Sequence, residues 1–192
     1  MARPIKNKDG HKKILDSAKL ILTKQGIAEL TTRNIAKASG YGLGSMYFYF
    51  DNVDDLILQI NGSTIEDLFH ELNRLDQKLK PGPTKLVKIC QAYFDYVFDH
   101  KELWNTVMNY RRTGEEKSGA WYQAKINNMT RLVEHIIALS LKPGQKKEEM
   151  ANILWAGMQG IWFVANRQGF KTTSREEAKK MVEILVKNLF KM

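Results

Sequence analysis

The sequence predicts an all-α protein in which three short helices precede a larger helical body. Apolar residues recur at three- and four-residue spacings along almost the whole chain, as helices buried along one face require. Glycine or proline falls between these periodic segments, and no stretch alternates in the manner of a strand ladder.

The first helix is expected from about Gly10 to Gln25, with Ile14, Leu15, Ala18, Ile21 and Leu22 inward and Gly26 as its stop. Thr31 or Thr32 can cap a second helix that carries Ile35 and Ala36 and ends near Gly40. A third helix covers residues 43–50. Asn52, followed by Asp54 and Asp55, suits the start of a long fourth helix running toward Lys80, because a capping side chain and early carboxylates favour a helix N-terminus. "KPGPTK" at 80–85 is the clearest break, and Pro83 fits the first turn of a fifth helix whose circumference is mostly apolar. A short helix near Leu103 follows, then a polar loop, "RRTGEEKSG", at 111–119. Amphipathic segments at 120–141, 146–168 and 174–191 complete the chain. The domain boundary is placed between residues 52 and 53, giving units of 1–52 and 53–192.

Charge is unevenly spread. The chain carries 30 Lys and Arg against 21 Asp and Glu, for a net charge of +9. Residues 1–50 hold nine basic and three acidic side chains, whereas residues 51–100 hold five and nine. The N-terminal quarter is therefore a local basic module, which invites an anionic partner. Cys90, the single cysteine, sits among Leu86, Val87, Ile89 and Tyr93, where it reads as a small core residue, and a reducing cytoplasm is expected. "ILWAGMQGIWFVA" at 153–165 is too short to span a bilayer, so no membrane partner is expected.

Three short helices with a tight turn before the third match the helix-turn-helix pattern. Ala36 allows close helix crossing, Gly40 tolerates a positive φ, and Met46 with Phe50, four apart, anchors the third helix inward. The stretch "LTTRNIAKASGYGLGSMYFYF" resembles the DNA-binding motif of the tetracycline-repressor (TetR) family of bacterial regulators, and the close match covers about residues 10–58.

The resemblance implies a DNA face. Thr32 and Arg33 fall at positions that touch phosphate and a base edge. Gly44 and Ser45, with Leu43, fall at the start of the recognition helix. Tyr47 and Tyr49 fall at ring positions near phosphates, and Phe48 lies between them without a hydroxyl. Arg33 is the candidate for reading guanine. Lys6, Lys8, His11, Lys12 and Lys13 could add sequence-independent attraction. Three positions depart from the family: Gly42 where a capping serine is common, Leu43 where a polar side chain is common, and Val53 where a lysine is common. Readout short of cations and unusually hydrophobic is expected, for instance Leu43 against a thymine methyl.

The same resemblance implies a ligand-binding and dimerisation domain in the remainder. "LWAGMQGIWFVA" is weakly similar to a Trp-His-Gly type of C-terminal domain, with Gln159 where the histidine would fall. Tyr93, Trp104, Met108, Trp121 and Trp155 are the candidate lining of an apolar pocket, with Gln159 or Asp95 as its polar contact. The last two helices carry Leu154, Ile161 and Val164, then Met181, Val182, Leu185 and Leu189, as a dimer stripe. The expected function is that of a regulator, a repressor first, binding a palindromic operator as a homodimer and released by a small apolar effector. No cofactor is called for. The four histidines lie far apart in sequence and no cysteine pair or phosphate loop accompanies them, so an enzyme is not expected. Glu66 and His70 could form half a metal site, though a surface pair is commoner. The alternative is a helical protein that uses its aromatic and basic stripes on a membrane surface or a protein partner.

Overall fold

The computed structural model describes residues 8–109, 119–138, 140–166 and 173–190. Lys6 and all of the expected 111–119 loop except Gly119 lie outside them. Among the described residues the chain forms nine α-helices and one short 3-10 turn. They divide into two compact units, residues 1–66 with 100–125 and residues 67–99 with 126–192.

In the first unit, α1 (Lys8–Gln25) stops at Gly26, whose φ of 86° lies in the region that glycine alone enters freely. A 3-10 turn (Ile27–Glu29) leads to α2 (Thr32–Ser39). Of the two threonines, Thr31 is the cap, and its side chain accepts from the Asn34 backbone N–H at 3.2 Å. Gly40 ends α2 with φ 74°, so the turn into α3 (Leu43–Tyr49) uses the left-handed conformation anticipated there. Asn52 Oδ1 accepts from the Asp55 N–H at 2.8 Å and starts α4 (Val53–Lys78), whose first half belongs to this unit. The core is continuous: Ile14, Ala18 and Leu22 of α1 meet Ile35 of α2, Met46 of α3, Phe50, and Leu56 and Ile60 of α4. Each of the larger of these side chains, fully buried, contributes on the order of 2 kcal/mol. Leu103 of α6 (Lys101–Asn109) closes one side of this core. The N-terminal turns of α7 (Ala120–Ala138) add Trp121, whose ring lies 2.6 Å from where a Cβ on Gly62 would stand. Any larger residue at 62 would displace that ring.

The second unit is built on α5 (Pro83–Asp99), α8 (Lys147–Asn166) and α9 (Arg175–Phe190), with the rest of α4 and α7. α9 packs on both α5 and α8. Its start is a capping box: Ser174 Oγ accepts from the Glu177 N–H, and the Glu177 carboxylate accepts from the Ser174 N–H at 2.8 Å. Gly157 permits the close approach of α8 to α9, because a Cβ there would stand 2.5 Å from Leu185 Cδ2. Two ion pairs one turn apart join α5 to α9, Asp95 with Lys179 at 3.0 Å and Asp99 with Arg175 at 2.5 Å. A third pair, Lys85 with Asp76 at 2.7 Å, is buried. Cys90 is buried, and burial pushes its thiol up to about 12, so the site is inert packing.

Candidate nucleic-acid interface

The four consecutive rings of the third helix separate cleanly. Phe50 is in the core, while Tyr47 and Phe48 are 57% and 52% exposed. Tyr49 is half-buried and turns toward α1, where its hydroxyl meets Gly10 and its ring stands edge-on to Tyr41 at 6.2 Å and to Phe48 at 5.1 Å. Tyr49, expected beside Tyr47 at phosphate, packs on α1 in this structure, while Tyr47 is exposed. A helical ring two positions from Tyr47 points some 200° away from it.

On the outer surface, Arg33 and Lys37 lie one turn apart on α2 and both are exposed. Thr32 and Ser45 are partly exposed, and Leu43 is 51% exposed. The α3 N-terminus has Gly42 as its cap position with no capping side chain. Thr32, Met46, Tyr47, Phe50, Asn52, Val53 and Leu56 surround a cleft of roughly one water molecule's size where α2, α3 and α4 meet. The ammonium of Lys13 sits 5.7 Å from the Tyr41 ring centroid, which holds one α1 cation on this side of the unit.

The face is held by a chain of polar contacts that sequence reasoning did not identify. His11 stacks on Phe50 with ring centroids 4.8 Å apart, and its Nε2 meets Gln59 Oε1 at 2.6 Å. The Gln59 amide N–H donates to Asp55 Oδ2, which also accepts from the Asp51 backbone N–H. Since the Gln59 amide nitrogen is committed to Asp55, its oxygen is the acceptor and His11 Nε2 carries the proton. Lys19 donates to Ser63 Oγ at 2.7 Å further along the same pair of helices. His11 is thus a strut between α1 and α4.

The expected pocket residues fall in both units. Trp104, buried, and Met108 and Trp121, exposed, belong to the first. Tyr93, Asp95, Trp155 and Gln159 belong to the second, where the Gln159 amide donates to the Tyr93 hydroxyl at 3.0 Å and Trp155 stands 6.0 Å from the Tyr93 ring. Among the described residues, Gln159 Oε1 is buried without a hydrogen-bond donor. Asp95, the other polar contact foreseen for a ligand, is ion-paired with Lys179.

The expected dimer stripe also splits. Leu154, Ile161 and Val182 are buried inside the second unit, and Leu185 and Leu189 are partly so. They are core because α8 and α9 turn these faces toward each other and α5. Val164 and Met181 remain exposed, as do Ile153, Phe163 and Ile184, which were not expected in the stripe. Glu66 pairs with Lys125 at 2.5 Å, and among the described residues no group of three or more metal-binding side chains is present. No helix among the described residues is long and apolar enough to cross a membrane.

Residues 14–60 match the family model for bacterial regulatory proteins of the tetR family. A search of the curated proteins finds no match. Among solved structures the chain is similar to a candidate TetR-family transcriptional regulator of Mesorhizobium loti MAFF303099, at 14% identity over 97% of both chains with a TM-score of 0.75. It is also similar to SmeT, the repressor of the Stenotrophomonas maltophilia multidrug efflux pump SmeDEF, at 18% identity over 93% of this chain and 88% of that one, with a TM-score of 0.68. FadR of Bacillus subtilis in complex with stearoyl-CoA aligns at 17% identity over 92% and 97%, with a TM-score of 0.70. At these identities the structural likenesses establish the fold, and the match at 14–60 establishes the DNA-binding module.

Proposed function

We propose that this chain, a TetR-family transcriptional regulator, is a repressor that binds a palindromic DNA operator as a homodimer and is released by a small, largely apolar effector. The observation that carries the reading is the face of α2 and α3, where exposed Arg33 and Lys37 adjoin an uncharged recognition helix on a fully formed helix-turn-helix core. Cations at the edge meet phosphate, and the helix between them faces the base edges. Twofold operators require paired heads, and the bare face of α8 and α9 supplies an apolar surface for a second copy. The apolar effector is supported by the Tyr93, Trp155 and Gln159 cluster, and by analogy with FadR, solved with stearoyl-CoA, and SmeT, which represses an efflux pump. The protein would act in the cytoplasm, where DNA is accessible.

The test is selection of bound sequences from random duplex DNA with the purified protein, repeated at two salt concentrations. An enriched inverted repeat supports the reading. Salt-sensitive binding with no enriched sequence removes the operator from it.

A further inference from the structure

α3 has an exposed arc with a hole in it. At about 100° per residue, Leu43, Tyr47, Gly44 and Phe48 follow one another around the helix in that order, across about 140°. The three side chains are all more than half exposed. Gly44 interrupts them, and a Cβ placed there meets nothing within 4 Å. Its φ lies outside the positive region, so neither backbone conformation nor internal packing asks for glycine at this position. A glycine inside a helix weakens it, and the benefit must lie outside the fold.

The sides of this gap are apolar. α3 carries no charged side chain, and among the side chains of the arc only the Tyr47 hydroxyl can hydrogen-bond. Paired donors or acceptors that read guanine or adenine are missing from it. One feature of the major-groove edge is itself apolar and projecting, the C5 methyl of thymine. Arg33 and Lys37, exposed on α2 against which α3 packs, offer cations for phosphate, and the DNA-binding reading above sets the arc against base edges.

We infer that the open gap at Gly44, between the exposed side chains of Leu43, Tyr47 and Phe48, receives thymine methyl groups and so selects A·T pairs at the operator positions under α3. The inference rests on the DNA-binding reading above and adds the base that it selects.

The experiment measures affinity of the full chain for the selected duplex and for duplexes in which each thymine in turn is replaced by deoxyuridine, which removes only the methyl. Affinity is expected to fall about fourfold for each methyl engaged, the worth of one buried apolar carbon. Gly44→Ala fills the gap: it is expected to melt higher than the parent yet bind more weakly, with the uridine effect gone. Leu43→Ala, at a surface position, should keep the fold and reduce the uridine effect. Equal affinity for thymine and uridine at every position overturns the inference alone, as does Gly44→Ala retaining full methyl sensitivity. Failure to enrich any sequence overturns both readings. Flotation with anionic phospholipid vesicles that Leu43→Ala abolishes, in place of methyl-sensitive DNA binding, assigns the arc to a lipid surface and overturns it as well.

Discussion

Substituting alanine for Gly10 tests how the recognition helix is braced. A Cβ at that position would stand 2.8 Å from Tyr49 Cζ and 3.1 Å from the Tyr41 hydroxyl oxygen, and closer still to the hydroxyl of Tyr49. The Tyr49 ring has little room to retreat, since Tyr41, Phe48 and His11 pack around it edge-on. Overpacking of this kind costs about 1–3 kcal/mol. Alanine in place of glycine in a helix returns up to about 1 kcal/mol. The net expectation for Gly10→Ala is a loss of about 1 kcal/mol, or on the order of 3 °C in melting temperature. In a Tyr49→Leu background the obstacle is gone, and the same substitution should stabilise by up to about 1 kcal/mol. Denaturant titration of the four proteins gives the coupling between the two sites directly. Zero coupling, with Gly10→Ala stabilising both backgrounds alike, would refute the packing of Tyr49 on α1.

Four further outcomes follow from the geometry. Lys85→Met leaves Asp76 buried without its cation and should cost about 3 kcal/mol in denaturant unfolding, most of which Asp76→Asn in the same chain should restore. Native Cys90 should resist thiol-specific reagents at pH 8 until the protein is unfolded; because its folded value is raised from 9.0 to about 12, the stability held by keeping it neutral is complete below pH 9 and drains away as pH rises toward 12, readable as a falling alkaline melting temperature. Val53→Lys, at the mouth of the cleft between α2 and α4, should raise DNA affinity and steepen its salt dependence by about 0.9 per phosphate gained, and an unchanged slope would place residue 53 away from the backbone. Ile184→Glu charges the bare face of α9 and should give a folded monomer by sedimentation with weakened operator binding; an unaltered dimer would move the interface elsewhere.

What could be read from sequence was local chemistry. Thr31, Gly40 and Asn52 act on their own neighbours within three or four residues, so the helix-turn-helix and its boundaries were legible before any coordinates. Met46 and Phe50 were legible for the same reason, since four positions on a helix fix a shared face. Tyr49 was not, because its direction is decided by the absence of a side chain at Gly10, far away along the chain. Nor was Asp95, whose partner Lys179 arrives only when α9 docks on α5. Leu154 and Met181 both sit on broad apolar stripes, and spacing alone cannot say which edge of a stripe faces inward when every neighbour is also a helix.

Under the proposed function, the two-faced character of α8 and α9 would bear on gene control as well as on assembly. Their inner faces are closed by contacts within the second unit, so those faces need no second copy to bury them. A protein of that kind can accumulate as a folded monomer when scarce, unlike one whose subunits fold only together. In the range where monomers predominate, the amount of dimer grows as the square of the amount of chain. For the homodimer proposed above, doubling expression would then quadruple the species able to span both half-sites, and a modest change in synthesis or degradation would become a sharp change in operator occupancy.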